Sequence, residues 1–184
     1  MMEEIIEFSK LIGKLKKTKR TGWVTWVKIE NPESVAEHIF RTAVLGMVIS
    51  DIKKLDTEKV VRMTLLHDLT ESVMVDWDYY TKKKLGIEKF KKREKESMEK
   101  VLGLLPQELK EKYEEIWNEF SQEESEEAKL VRQIDKLEMI IQALEYEKEG
   151  YDKERLDAFW RFNKKHFKDK DILNLFELLE KERK

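Results

Sequence analysis

The residues with the clearest chemical potential in this sequence are His67, Asp68 and Glu71, which are followed by Asp76. An imidazole and a carboxylate side by side can both reach one divalent cation. Glu71 comes four residues after His67 and three after Asp68, so we expect the three side chains to share one side of a helix. The same pattern fits a hydrogen-bonded core histidine beside a helix-capping aspartate, and taken alone it does not decide between the two.

A second histidine has to be brought to His67 by a different helix. Ser34 and Glu37 have the spacing of a capping box, which predicts that a helix begins near Val35 with His38 in its first turn. The apolar positions of this helix predict which residues face the core, namely Val35, Ile39, Ala43, Met47 and the run 49–52.

Asp135 lies in a long helix predicted from about Glu123 to Glu149, with Gly150 as its natural end. It stands at the edge of an apolar stripe made of Leu130, Val131, Ile134, Leu137, Ile140, Ile141 and Leu144. The carboxylate could reach the same cation as the histidines, or it could pair with Arg132 or Lys136.

The composition favours one all-α domain, a helical bundle spanning residues 1–184. The chain has 184 residues, of which 41% are charged and 40% hydrophobic, and only two prolines and six glycines interrupt it. Further helices are predicted at 3–15, from 56 or 57 to about 68, in a stretch that ends at 102, and at 106–120, 153–167 and 170–180. The last two make a C-terminal part over 152–182. We expect residues 21–26 and 77–80 to form loops.

Composition and charge also exclude several classes of function. A net charge of −2 gives no reason to expect binding to a nucleic-acid polymer, and the absence of cysteine excludes disulfides and thiolate metal sites. The longest nearly apolar run, residues 43–49, is far shorter than the ~20 residues of a membrane helix. The acidic start lacks the pattern of a signal peptide, so we expect a cytoplasmic protein. Basic segments at 14–20 and 82–95 and an acidic one at 108–127 could meet across a homodimer interface.

Taken together, the order His38, His67-Asp68 and Asp135 resembles the HD-domain superfamily of metal-dependent phosphohydrolases, in which H…HD…D binds a divalent cation. The segments 20–23, 32–38 and 132–138, with His67-Asp68-x-x-Glu71 and Asp76, resemble more closely the YfbR-type 5′-deoxynucleotidases. This resemblance covers roughly residues 15–148.

The resemblance implies a bundle of the HD-domain type and assigns a role to each of eight residues. The metal ligands would be His38, His67, Asp68 and Asp135, the catalytic residues Glu71 and Asp76, and the substrate-binding residues Arg20 and Trp23. Arg20 matches the arginine that holds the substrate phosphate. Trp23 lies two residues further from it than the tryptophan of the bacterial enzymes, so either stacking on the substrate or a core position is open to it. Val75 stands where the family usually has glycine.

The function implied by the resemblance is removal of the 5′-phosphate from a deoxyribo- or ribonucleoside monophosphate, with a divalent ion (Mn, Co, Ni, Fe, Zn or Mg) as cofactor. One alternative is an HD-domain phosphodiesterase acting on another phosphorylated nucleotide. Another is a non-catalytic nucleotide-binding HD module. Glu71 and Asp76 favour an enzyme, because a binding module would not need them.

Overall fold

A computed structural model describes residues 2–183; Met1 and Lys184 lie outside the described residues. The described chain folds into helices α1 (Met2–Ile12), α2 (Val35–Lys53), α3 (Thr57–Leu66), α4 (Glu71–Met74), α5 (Tyr79–Leu85), α6 (Ile87–Leu102), α7 (Gln107–Gln122), α8 (Glu126–Lys148), α9 (Lys153–Lys164) and α10 (Lys170–Glu182). No strand forms within residues 2–183, which confirms the all-α prediction; a single bridge joins Lys19 to Ser34. None of the described helices combines the length and the apolar character needed to cross a bilayer.

The central element of the bundle is α8, against which α2, α3, α7, α9 and α10 pack. Its predicted apolar stripe is buried, apart from Ile141, which is partly exposed. The helix begins three residues later than predicted, because Ser125 caps it by accepting a hydrogen bond from the backbone N–H of Ala128. It ends before Gly150, whose φ of 94° suits a residue without a Cβ.

Helix α2 begins as predicted, with the capping box formed by Ser34 and Glu37. The predicted core positions Val35, Ile39 and Ala43 are buried. The prediction for Met47 and Ile52 was wrong, because their side chains are 44% and 72% exposed. The helix is apolar on several sides, whereas α3 and α8 cover only part of its surface. An exposed apolar surface remains, here called the α2 stripe and made of Phe40, Val44, Met47, Val48 and Ile52.

Both predicted loops contain helical turns. Residues Trp23–Val27 form one π-helical turn, which ends at Lys28 in the left-handed conformation with φ 66°. The expected loop at 77–80 is cut short because the Asp78 side chain accepts a hydrogen bond from the Thr81 N–H and so starts α5.

Candidate metal centre and active site

The fold brings the two histidines together. His38 lies in the first turn of α2 and His67 directly follows α3, and both are buried with their Nε2 atoms 3.3 Å apart. Asp135 Oδ1, from α8, lies 3.2 Å from His38 Nε2. Asp68 Oδ2 lies 3.3 Å from His67 Nε2 and 3.7 Å from His38 Nε2. Three separate helical elements thus place one atom each of His67, Asp68 and Asp135 within 3.7 Å of His38 Nε2. The group whose ligand atoms all lie within 4.8 Å of one another consists of His38, His67 and Asp135 and does not include Asp68.

The local backbone at His67 differs from the expectation that His67, Asp68 and Glu71 share one side of a single helix. Helix α3 ends at Leu66, and residues 67–70 form a turn in which the N–H groups of Leu69 and Glu71 donate to the carbonyls three residues earlier. Adjacent residues of an α-helix point in different directions. The turn is therefore what allows His67 and Asp68 to face the same point.

The residues present fit a divalent cation. One ligand atom each from His38, His67 and Asp135 lies within 4.8 Å of the others. An ion that holds nitrogen and oxygen at about 2.0–2.2 Å separates its ligand atoms by about 3–4 Å, which matches the distances around His38 Nε2. Imidazole and carboxylate ligands together suit first-row divalent ions.

Asp68 and Asp135 are held in the ionised form by the positive groups around them. Burial alone would raise the pKa of Asp68, but His67 and Arg20 outweigh it and hold that pKa well below its ordinary value. Burial acts likewise on Asp135, and Lys136 and His38 keep its pKa well below the usual range. The pairing of Asp135 with Lys136 that the sequence left open does form, at 2.9 Å through Oδ2, and Oδ1 still faces His38.

Hydrogen bonds at the opposite ring nitrogens orient both imidazoles. His67 Nδ1 lies 2.7 Å from the carbonyl oxygen of Thr64, and His38 Nδ1 contacts the Glu138 carboxylate. Such bonds fix the tautomer and direct Nε2 toward an ion. Sequence reasoning gave no role to Glu138, although it follows Asp135 by three residues and so shares its face of α8.

Arg20 connects the two acidic parts of the site. Its Nη1 lies 3.0 Å from Asp68 Oδ2 and 3.7 Å from Asp76 Oδ1, and little of the side chain is exposed. Burial lowers the pKa of Arg20, but Asp76 and Asp68 reverse this and raise it well above its ordinary value, so the guanidinium is charged. The Thr21 N–H donates to the Asp76 carboxylate, and its hydroxyl donates to the Asp76 carbonyl oxygen at 2.7 Å.

Glu71 is the least satisfied acidic group of the site. Its side chain is 6% exposed, and its Oε2 has no hydrogen-bond partner among the described residues. Burial, together with Asp68 and Asp76, raises its pKa well above the ordinary value. A buried carboxyl oxygen without a protein partner is costly unless a group from outside the chain binds it.

Trp23 occupies the core, the second of the two positions that its sequence allowed. It is 1% exposed, with its ring stacked at 4.2 Å on Phe159 and edge-on to Tyr146 at 5.3 Å. Its indole N–H donates to Glu33 Oε1 at 2.8 Å, and its backbone N–H donates to the carbonyl of Arg20 at 3.2 Å. These contacts leave no open ring face for a substrate, and they hold the segment that carries Arg20.

Comparison with known proteins agrees with this arrangement. The sequence model of the HD domain matches residues 12–175. The chain belongs to the HD domain family. This HD domain is 37% identical over 179 residues to the human 5′-deoxynucleotidase HDDC2, covering 97% of this chain and 86% of the relative. It is 35% identical to the Dictyostelium discoideum 5′-deoxynucleotidase HDDC2, with all of both chains covered.

Two solved archaeal structures share the fold of this HD domain. A conserved hypothetical protein from Pyrococcus furiosus is 33% identical with a TM-score of 0.78, covering 97% of this chain and 98% of the other. The PH0347 protein from Pyrococcus horikoshii OT3 is 31% identical with a TM-score of 0.76, covering 97% and 99%. Family membership implies a divalent metal cofactor, in agreement with the ligand group of His38, His67 and Asp135.

Proposed function

We propose that this HD domain, acting as a single domain over residues 1–184, is a metal-dependent 5′-deoxynucleotidase. It would hydrolyse the 5′-phosphate ester of deoxyribo- or ribonucleoside monophosphates. The observation that carries the proposal is that Glu71, Asp76 and Arg20 lie beside His67 and Asp68. A protein that only binds nucleotides would not need a buried pair of acidic side chains next to its ligand site. Relatives named 5′-deoxynucleotidase that align over nearly the whole chain support the same reaction.

His38, His67, Asp68 and Asp135 would hold the ion. When bound, it supplies positive charge and Lewis acidity beside the phosphoryl group. The ligand set is compatible with Mn, Co, Ni, Fe, Zn or Mg. Adding each ion to stripped protein, with phosphate release as the readout, would rank them.

The remaining chemistry belongs to side chains of this chain. Arg20 would bind the phosphoryl oxygens, because a guanidinium keeps its charge and offers a planar fork of donors. It would neutralise charge that develops on those oxygens during the reaction. The Arg20 guanidinium lies close to Asp68 and Asp76, and so beside the proposed metal ligands.

Glu71 and Asp76 would divide the proton transfers. Glu71, whose pKa is raised by burial and by Asp68 and Asp76, would be the acid that gives a proton to the departing 5′ oxygen. Asp76 is held by the Thr21 N–H and lies near Arg20, which suits it to orient and deprotonate the attacking water.

A substrate panel tests the reaction against its alternatives. The eight common nucleoside monophosphates and a set of phosphodiesters would be incubated with each divalent ion, and the phosphate or the alcohol released would be measured. Release of phosphate from monophosphates alone supports the proposal. Cleavage of diesters would favour a phosphodiesterase, and nucleotide binding without turnover would favour a binding module.

We also propose that the protein is cytoplasmic and forms a homodimer. The α2 stripe supports the homodimer. It places five exposed apolar side chains on one face of a 19-residue helix, a pattern typical of an interaction surface. In solution, Met47→Lys should shift the mass measured by light scattering from dimer to monomer. Leu178→Lys, at an exposed position on α10, is the control that should leave the mass unchanged. A wild-type monomer would refute the dimer.

A further inference from the structure

Glu138 is a buried carboxylate to which the proposed hydrolysis assigns no role. It is 0% exposed, and both of its carboxylate oxygens are engaged. One oxygen contacts His38 Nδ1, and the other accepts a hydrogen bond from Arg41 Nε at 2.8 Å. A buried carboxylate is costly unless it is paired and hydrogen-bonded, and here it has both kinds of partner.

Arg41 is in turn held by two other side chains of α8. Its Nη1 lies 2.7 Å and 2.9 Å from the two oxygens of Glu145, and its Nη2 donates to Gln142 Oε1 at 2.5 Å. Glu138, Gln142 and Glu145 follow one another at helical spacing, so they present one face of α8 to α2. Arg41 itself comes three residues after His38 on α2. The guanidinium therefore fixes Glu138 relative to the histidine that it contacts.

The two histidines differ in how they are oriented. His67 is held by a backbone carbonyl, whereas His38 is held by a charged side chain. A carboxylate that accepts the Nδ1–H bond fixes the tautomer and makes Nε2 a stronger ligand, and loss of such a partner typically reduces metal affinity by about 10–100-fold.

We propose that Glu138, held in place by Arg41, is a positioning residue that aims His38 Nε2 at the metal ion and sets the affinity of the site. The inference rests on the proposed metal site but not on the reaction, since it concerns binding of the ion in the absence of substrate. Glu138 touches neither substrate nor ion in this role.

The test is calorimetric titration of metal-stripped protein with Mn²⁺, and separately with Co²⁺, whose visible absorption reports the ligand geometry. Glu138→Ala should raise the Kd by about 10–100-fold. Glu138→Gln keeps an acceptor for the Nδ1–H but not the charge, so it should recover part of the affinity. Arg41→Ala should fall between the wild type and Glu138→Ala.

Arg183→Ala is the matched control. Arg183 also joins helices through a buried glutamate, Glu147, at 2.9 Å, and it makes a second ion pair with Asp157 at 2.9 Å. Its loss should lower the Tm, as the loss of Arg41 should, without changing the Kd for the ion. Glu138→Gln keeps the test usable if Glu138→Ala does not fold.

Two results would overturn the proposal. The first is a wild-type Kd in both Glu138 variants together with a lowered Tm, which would make Glu138 a purely structural residue. The second is two bound ions per chain in the wild type and one in Glu138→Ala, since the ligand atoms of Glu33, His38 and Glu138 also lie within 4.8 Å of one another and Glu138 would then be a ligand itself. Normal ion binding by a wild type that releases no phosphate would refute the nucleotidase and leave this inference standing.

Discussion

Replacing Trp23 by phenylalanine separates a core role from a substrate-stacking role. The substitution keeps an aromatic ring but removes the indole N–H that donates to Glu33 and part of the ring that packs on Phe159. Because the side chain is 1% exposed, the lost volume leaves a cavity rather than space for solvent. We therefore expect a loss of stability, with an effect on activity only through the segment that carries Arg20.

The magnitude follows from the two contacts that are lost. The Glu33 Oε1 atom loses its indole donor. A buried hydrogen-bonding group left without its partner costs about 1–3 kcal/mol. Adding roughly 1 kcal/mol for the smaller ring gives a total of about 3 kcal/mol. In a chain of this size that corresponds to a fall in Tm of about 6–12 °C.

Thermal unfolding followed by circular dichroism measures the effect, with kcat and KM measured below the transition. Trp26→Phe is the control: Trp26 is 41% exposed and its indole donates to Asp78 at 3.2 Å, so its Tm should change much less. If Trp23→Phe kept the wild-type Tm and raised KM, the tryptophan would be acting on the substrate and the reasoning from burial would fail.

Three further predictions concern the site and its surroundings. Glu71→Gln and Asp76→Asn should each lower kcat by about 10²–10⁴-fold in phosphate-release assays, because each loses one proton-transfer group, while calorimetry shows the ion still bound. Arg20→Ala should lower kcat/KM for phosphate release by about 10²–10³-fold through the loss of charge at the phosphoryl oxygens, and Arg20→Lys should recover part of it. Burial, followed by the charge of Glu138, raises the pKa of Glu33 from 4.5 to about 7. Between those pH values the unfolded chain gives up this proton more readily than the folded protein does, so the free energy of unfolding falls as the pH rises. Glu33→Gln should therefore raise the Tm relative to the wild type more at pH 8 than at pH 5, as thermal melts can measure.

Each of these tests has an outcome that contradicts it. Normal turnover in both acid variants would remove Glu71 and Asp76 from catalysis. An Arg20→Ala enzyme with unchanged kcat/KM would place the phosphate elsewhere. A difference in Tm between Glu33→Gln and the wild type that does not vary with pH would mean that Glu33 has its ordinary pKa in the folded protein.

Local chemistry determined the parts of this protein that could be predicted. The capping box of Ser34 and Glu37 and the end of α8 before Gly150 involve neighbours in sequence, whose preferences act before any tertiary contact forms. The all-α class follows from the helical spacing of apolar residues and the scarcity of proline and glycine. The order of His38, His67-Asp68 and Asp135, through its resemblance to a family, pointed to the metal-dependent chemistry.

The tertiary structure decided what depends on partners far away in the chain. Trp23 is buried because Phe159 and Tyr146, more than 100 residues later, cover its ring. Met47 is exposed because no described helix covers that face of α2, which periodicity alone cannot reveal on a helix apolar on several sides. Glu138 and His38, 100 residues apart, meet only once α2 packs on α8. Burial and pairing are properties of assembled surfaces, so the contact between Glu138 and His38 could be identified only from the fold.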